Sequence, residues 1–219
     1  MQRLVIVGAG GFGREVLQWV RDVNRATPTF EVLGFLDGNV GLHGTRLHRV
    51  PVLGDLSWLA SNPGVGVTVA IGAPHVRRRI VEKLSAYEVT FPTLVHPTCL
   101  VGEEVALGEG TVLCPGSTLT TDITLGRHVI VNLDCSIGHD ATLGDFVTLA
   151  PGVQVSGNVH VREGVDLGTG AVLVPGTEVG PWSVVGAGAV VSRSIPADVT
   201  AVGMPAKPIK TREAGWHLR

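Results

Sequence analysis

Two rhythms of apolar residues divide the chain near residue 91. Before that point short apolar runs alternate with helical stripes. Leu4-Val5-Ile6-Val7 reads as a strand ending in glycine. Phe12 to Val23 then reads as a helix with Val16, Leu17 and Val20 on one side. Glu31–Leu36 and Val65–Ile71 read as further strands, and Asp55–Ala60 as a short helix. Val76–Leu84 reads as a helix with Arg77, Arg78 and Arg79 turned to solvent. Strands alternating with helices predict a parallel α/β sheet. The boundary is placed at Phe91-Pro92-Thr93, where helical periodicity ends.

Beyond it, every sixth residue from Val95 to Val191 is aliphatic, seventeen positions without an insertion. The residue four further on is small or β-branched, from Cys99 to Ile195. Glycine often follows the aliphatic residue, as at Gly102, Gly126 and Gly138. A strict hexad predicts a parallel β-helix with the aliphatic residue inward and glycine easing each corner. Three hexads make one triangular coil of 18 residues. Seventeen give about 5.7 coils, a prism about 27 Å tall at the ~4.8 Å spacing of paired strands. The expected organisation is an α/β Rossmann-like domain over 1–90, an all-β parallel β-helix over 91–196 and a C-terminal cap over 197–219.

Composition narrows the function classes. The chain has 219 residues, 30 of them glycine, with 16% charged residues and a net charge of −2. A basic face for nucleic acid is not expected, nor a membrane span, since no 18-residue apolar run exists. Cys99, Cys114 and Cys135 form no CxxC pair, which suits a reducing, cytoplasmic setting. Cys99 and Cys135 fall at the small inward position and read as core filling. Mean hydropathy of +0.33 suggests more buried surface than one thin prism provides.

Two features carry candidate chemistry. Gly8-x-Gly10-x-x-Gly13 follows a strand and opens a helix, the context for holding phosphate. Asp37 ends the second strand and suits a ribose hydroxyl. NAD, another nucleotide and purely structural turns all fit this pattern, although 90 residues are short for a full dinucleotide domain. His75 and Arg77 follow the third strand, where ligands collect, and also read as a solvated helix start. His139 lies on a turn of its hexad, pointing outward, with Asp140 beside it. One coil above is Gly157, which leaves a notch over the imidazole. Imidazole titrates near neutrality and suits a general base.

The chain resembles the hexapeptide-repeat acyltransferases, above all the sialic acid O-acetyltransferase type, which includes N-acetyltransferases of nucleotide-linked amino sugars. The resemblance rests on Gly8-Ala9-Gly10-Gly11-Phe12-Gly13-Arg14-Glu15, Phe35-Leu36-Asp37 and Ala70-Ile71-Gly72. It continues with Val95-His96-Pro97, Ile137-Gly138-His139-Asp140, Leu149-Ala150-Pro151-Gly152, Ser156-Gly157-Asn158-Val159 and Gly203-Met204-Pro205-Ala206-Lys207. It implies a left-handed β-helix, acetyl-CoA as co-substrate, no metal, and a homotrimer with sites between neighbouring prisms. It makes His139 the general base with Asp140 as its partner. It assigns a nucleotide-linked amino sugar to Gly8, Gly10, Gly11, Phe12, Gly13, Asp37, Gly72 and Asn132. It assigns acetyl-CoA to Thr148, Gly157, Met204, Pro205 and Lys207, with Lys207 or Lys210 meeting a phosphate. The pantetheine arm is expected along a groove rising ~15 Å from His139 toward Pro196. The sequence names neither the sugar, its nucleotide base nor the pathway, and lipopolysaccharide, capsule and protein glycosylation all stay open as destinations. Two positions depart from the family pattern: Thr148 stands where many members carry a second histidine, and Phe12 where many carry histidine in the glycine loop.

Other readings stay open at this stage. They are O-acetylation of a sialic acid-type sugar, a non-catalytic nucleotide-binding module, and a zinc hydratase on the same solenoid. The last needs three converging histidines, and His96, His128, His139 and His160 lack the close pair of that family.

Overall fold

A computed structural model describes residues 1–218. Among the described residues the chain forms two compact units, residues 1–72 with 76–97, and residues 73–75 with 98–218.

In the first unit the strands are β1 (Gln2–Val7), β2 (Phe30–Leu36), β3 (Arg46–Leu47), β4 (Val50–Gly54), β5 (Val65–Val69) and β6 (Val89–Thr90). The helices are α1 (Gly11–Ala26) and, from its third residue on, α2 (Pro74–Leu84). The sheet order is β3-β4-β2-β1-β5-β6. All neighbours are parallel except the β3–β4 hairpin. Leu4, Val5, Ile6 and Val7 of the central strand β1 are all buried, as expected of a parallel strand covered on both faces. The helix stripe Val16, Leu17 and Val20 is buried as its spacing requires.

The sequence reading misses the β3–β4 hairpin. Its turn is His48-Arg49, both at positive φ (47° and 72°). Such turns usually carry Asn-Gly. Here Arg21 Nη2 donates to the His48 carbonyl and Arg46 Nη1 to that of Arg49, so side chains replace the usual turn chemistry.

The second unit is a stack of two- and three-residue strands on three faces. Face one runs from Leu100–Val101 through Ser136–Ile137 to Val190–Val191. Face two runs from Val105–Leu107 through Thr142–Leu143 to Glu178–Val179. Face three includes Val112–Leu113, Thr148–Leu149 and Val199–Val202, and ends on the antiparallel strand Lys207–Thr211. Through the regular coils partners are 18 residues apart, as in Thr118↔Ser136 and Ser136↔Gln154. The hexad is therefore one strand and one corner, and three of them close a coil.

The periodic aliphatic residue is buried at every position from Leu113 to Val191. Val101 departs from the pattern at 41% exposed. Its strand is the terminal one of face one and pairs on one side only. The glycines after the aliphatic residue also act differently from expectation. They do not take up the corner's left-handed turn. That falls two residues later, at Asp134, Asp140, Phe146, Gly152 and Asn158 among others. Gly138 instead lies against the next coil, where a Cβ would come within 2.7 Å of Gly157 N.

Cys135 is buried and its thiol donates to the Ala150 carbonyl at 3.3 Å. Burial pushes this thiol up to about 11. Cys114 is also fully buried, and Cys99 is half-buried. The thiolate is the reactive form. Ellman titration of the native protein at pH 8 is therefore expected to modify Cys99 at most, with Cys114 and Cys135 reacting only on unfolding. Rapid labelling of all three thiols would contradict the packing.

Candidate functional site

In the first unit the chain crosses from β1 to α1 through the glycine loop. Gly8 has φ +102° and a Cβ there would meet the Ala70 carbonyl oxygen at 2.9 Å. Gly13 lies so close to the Gly8 carbonyl that a Cβ would sit 1.9 Å from its oxygen. These two glycines let the loop fold tightly onto the ends of β1 and β5. Gly10 is the N-cap of α1 and makes no side-chain cap bond, and Gly11 opens the helix. Phe12 turns edge-on to Trp19 with ring centroids 5.6 Å apart.

Asp37, read from the sequence as a ribose partner, makes two backbone contacts. Its Oδ2 accepts from Ala9 N and its Oδ1 from Asn39 N, both at 2.8 Å. The carboxylate thus ties the glycine loop to the end of β2. The lone pairs beyond those two bonds remain for a ligand.

A cleft of about 740 Å³ opens at the carboxyl ends of β1 and β2. Gly8 and Asp37 line it, together with Asp55, Ser57, Ile71 and Tyr87. Asp55, Ser57 and Tyr87 were not found by sequence reasoning. The available signal was Asp55-x-Ser57 opening a short helix, in which Asp55 Oδ1 accepts from Ser57 N at 2.8 Å. The Ser57 hydroxyl and N–H hold the Asp55 carboxyl below its ordinary range. Gly72 lies next to Ile71, on the turn that follows β5. A Cβ on it would meet open space.

Arg77 corrects the sequence reading. It is 1% exposed, not turned to solvent. Its Nη1 donates to the carbonyls of Ile71 (2.7 Å) and Gly72 (2.8 Å). Arg77 shares a helical stripe with Ile80, Val81 and Leu84, at the spacing of an inward face.

In the second unit His139 and Asp140 form the corner between faces one and two. Both side chains are open to solvent, at 59% and 55% exposed. His139 Nδ1 is 2.7 Å from Asp140 Oδ2. Asp140 takes the left-handed corner position, φ 59°, which aspartate tolerates better than most residues. One coil above, Gly157 faces the ring. A Cβ there would fall 2.6 Å from Nε2 and 2.7 Å from Cε1. The backbone of this column is continuous: Asn158 N donates to the His139 carbonyl and Gly176 N to that of Gly157. With Nδ1 facing a carboxylate, the neutral imidazole carries its proton there and presents the Nε2 lone pair on the glycine side.

The remaining residues lie elsewhere on the prism. Asn132 begins the corner between faces three and one, and its Oδ1 accepts from Leu133 N at 2.8 Å. Met204 and Pro205 follow the face-three strand Val199–Val202, at the same corner several coils up. Met204 is 78% exposed. Lys207 opens the exposed strand Lys207–Thr211. Thr148 is buried on face three, in register with Ile130 and Asp166. Face three lies opposite the His139 corner. One prism therefore carries His139, Asp140 and Gly157 on one column, and Asn132, Met204 and Pro205 on the next. The expected groove from His139 toward Pro196 does not follow one column, because the column above His139 runs through Gly157 and Pro175 to Arg193. Among the described residues no three His, Cys, Asp or Glu side chains group as metal ligands, and no helix is long and apolar enough to cross a membrane.

Residues 3–84 match the family described as the PglD N-terminal domain. No curated protein matches significantly. Among solved structures, the chain is 36% identical to WeeI from Acinetobacter baumannii. That match covers 95% of this chain and 100% of that one, with a TM-score of 0.86. It is 31% identical to a histidine-to-asparagine variant of perosamine N-acetyltransferase from Caulobacter crescentus, in complex with CoA and GDP-perosamine. Here 96% and 98% of the two chains are covered, with a TM-score of 0.87. It is 34% identical to the acetyltransferase domain of PglB from Neisseria gonorrhoeae in complex with acetyl coenzyme A. Coverage is 95% and 99%, and the TM-score is 0.88.

Proposed function

The chain belongs to the hexapeptide-repeat family of acetyl-CoA-dependent nucleotide-amino-sugar N-acetyltransferases, and we propose that it acetylates the amine of a nucleotide-linked amino sugar with His139 as general base. The observation that carries this reading is the column Asp140–His139–Gly157. A carboxylate faces Nδ1 and a missing side chain leaves Nε2 open.

The sugar amine attacks the thioester carbonyl of acetyl-CoA. Nε2 of His139 takes the proton that the nitrogen loses. The C–S bond then breaks, and the proton passes to the departing CoA sulfur, so the imidazole ends neutral. Asp140 holds the ring orientation and stabilises the transient imidazolium. The relatives with bound CoA, acetyl coenzyme A and GDP-perosamine support the same pair of substrates here.

The cleft of the first unit takes the nucleotide part. The diphosphate meets the open N–H groups at the start of α1, between Gly10 and Gly13. Asp37 and Asp55 stand at the rim for hydroxyl or amide donors. In the second unit the two columns of candidate residues flank face one. In a homotrimer of parallel prisms, the His139 column of one copy faces the Asn132–Met204 column of the next. Thioester and acceptor then meet between copies, with Lys207 beside the nucleotide end of the cofactor. A stable 23 kDa monomer in sedimentation would remove this arrangement.

Free-thiol release from acetyl-CoA against a panel of UDP-, GDP- and dTDP-linked amino sugars tests the reading. Turnover is expected with at least one amine and not with its hydroxyl counterpart. Turnover confined to hydroxyl acceptors would make the protein an O-acetyltransferase and overturn the N-acetylation assignment.

A further inference from the structure

Arg77 is the largest of the fully buried side chains among the described residues. An arginine on the inner stripe of a helix is costly to desolvate, and a well-packed apolar residue often serves stability as well or better. Stability alone therefore gives a weak reason for a guanidinium here. Its contacts supply a better one.

Nη1 donates to two successive carbonyls, those of Ile71 and Gly72. These residues form the turn after β5, and Ile71 is part of the wall of the cleft. Ala70 N donates to the Val7 carbonyl at 2.8 Å. Gly8, at the other end of that connection, packs against Ala70 O and Ile71 Cγ1 so closely that a Cβ would sit 2.9 and 3.3 Å away. Ile71, Gly8 and Val7 all line the cleft. The guanidinium thus clamps the backbone of one wall where it abuts the glycine loop. In a trans peptide the carbonyl and the following N–H point opposite ways. Drawing the Ile71 carbonyl toward Arg77 therefore also sets the direction of the Gly72 N–H.

We propose that Arg77 is a positioning residue for the nucleotide sugar, acting through the Ile71 and Gly72 carbonyls rather than by touching the ligand. This rests on the reading of the cleft as the nucleotide site. Arg77→Met keeps much of the side-chain length and removes every donor. Arg77→Lys keeps the charge but has no planar fork to span both carbonyls.

The expected result for Arg77→Met is a KM for the nucleotide sugar raised about tenfold, the scale of losing charge-assisted hydrogen bonds. The KM for acetyl-CoA and kcat should stay within about twofold of wild type, because binding without transition-state discrimination changes KM alone. Arg77→Lys should fall between the two. A loss of kcat with both KM values unchanged would assign Arg77 a purely structural role and overturn the proposal, as would an unchanged KM in both variants. If Arg77→Met does not fold, Arg77→Lys decides by the same criteria. Calorimetry with UDP and GDP separates the two layers of argument. Wild-type binding without any turnover would leave the Arg77 comparison intact on Kd, with the nucleotide that binds weakened in the variant. Absence of both binding and turnover in wild type would remove the cleft assignment and the Arg77 proposal with it.

Discussion

His139→Ala lowers kcat about 10²–10⁴-fold, the usual contribution of a positioned general base. The fold should be untouched. His139 is a solvent-facing corner residue, and the inward positions of its hexad are Ile137 and Ala141, both buried and unaltered. The KM values for acetyl-CoA and the sugar should change little, because the imidazole takes its proton as the bond forms and adds little to ground-state binding. The check is steady-state kinetics beside a thermal melt. Turnover near that of wild type, with an unaltered melt, would take the base away from His139.

The second large effect comes from one methyl group. Gly157→Ala places a Cβ 2.6 Å from Nε2 and 3.1 Å from Cδ2 of His139, well inside ordinary contact distance. Gly157 is not in the left-handed region, so alanine meets no backbone strain there. The collision must be relieved by the ring. Swinging the imidazole away breaks the 2.7 Å contact with Asp140 and fills the side on which Nε2 is open. Turnover should fall on the order of 10²-fold, as misplacement of a reacting group by about 1 Å does, while the melting temperature stays close to wild type. Full activity in Gly157→Ala would show that the open notch over the ring has no part in the reaction. A combined His139→Ala, Gly157→Ala variant should be no worse than His139→Ala alone, since both act through one side chain.

Much of this was legible because the β-helix writes its geometry into the chain at a fixed period. The hexad carries the stack, the inward residue and the corner, and so places Gly157 directly above His139 by spacing alone. What it did not give was the division of labour among glycines. Gly138 and Asp140 belong to one corner, yet the left-handed turn is at Asp140 and the close coil-to-coil approach is at Gly138. Composition at a position does not distinguish these two demands. Val101 kept the period but not the burial, because its strand pairs on one side only.

The α/β unit was less legible where side chains replace the usual signals. The hairpin turn His48-Arg49 has no glycine and is held by Arg21 and Arg46, contacts that no local sequence pattern signals. Arg77 was misread for a related reason. Its charge argued for solvent, while its spacing from Ile80, Val81 and Leu84 placed it on the inner face of α2, and the spacing prevailed because two carbonyls meet the guanidinium there. Asp37 follows β2 directly, as its place in the sequence implies, but its bonds to Ala9 N and Asn39 N depend on how the chain folds back across the sheet.

The most direct test of the account is the structure of the reaction product. Purified protein is incubated with acetyl-CoA and the nucleotide amino sugar that gives the fastest thiol release, and the product is examined by mass spectrometry and NMR. The account predicts one added acetyl group in amide linkage to the sugar nitrogen, and loss of that product with His139→Ala. An ester at a sugar hydroxyl, or amide formation that persists undiminished without the His139 imidazole, would contradict it.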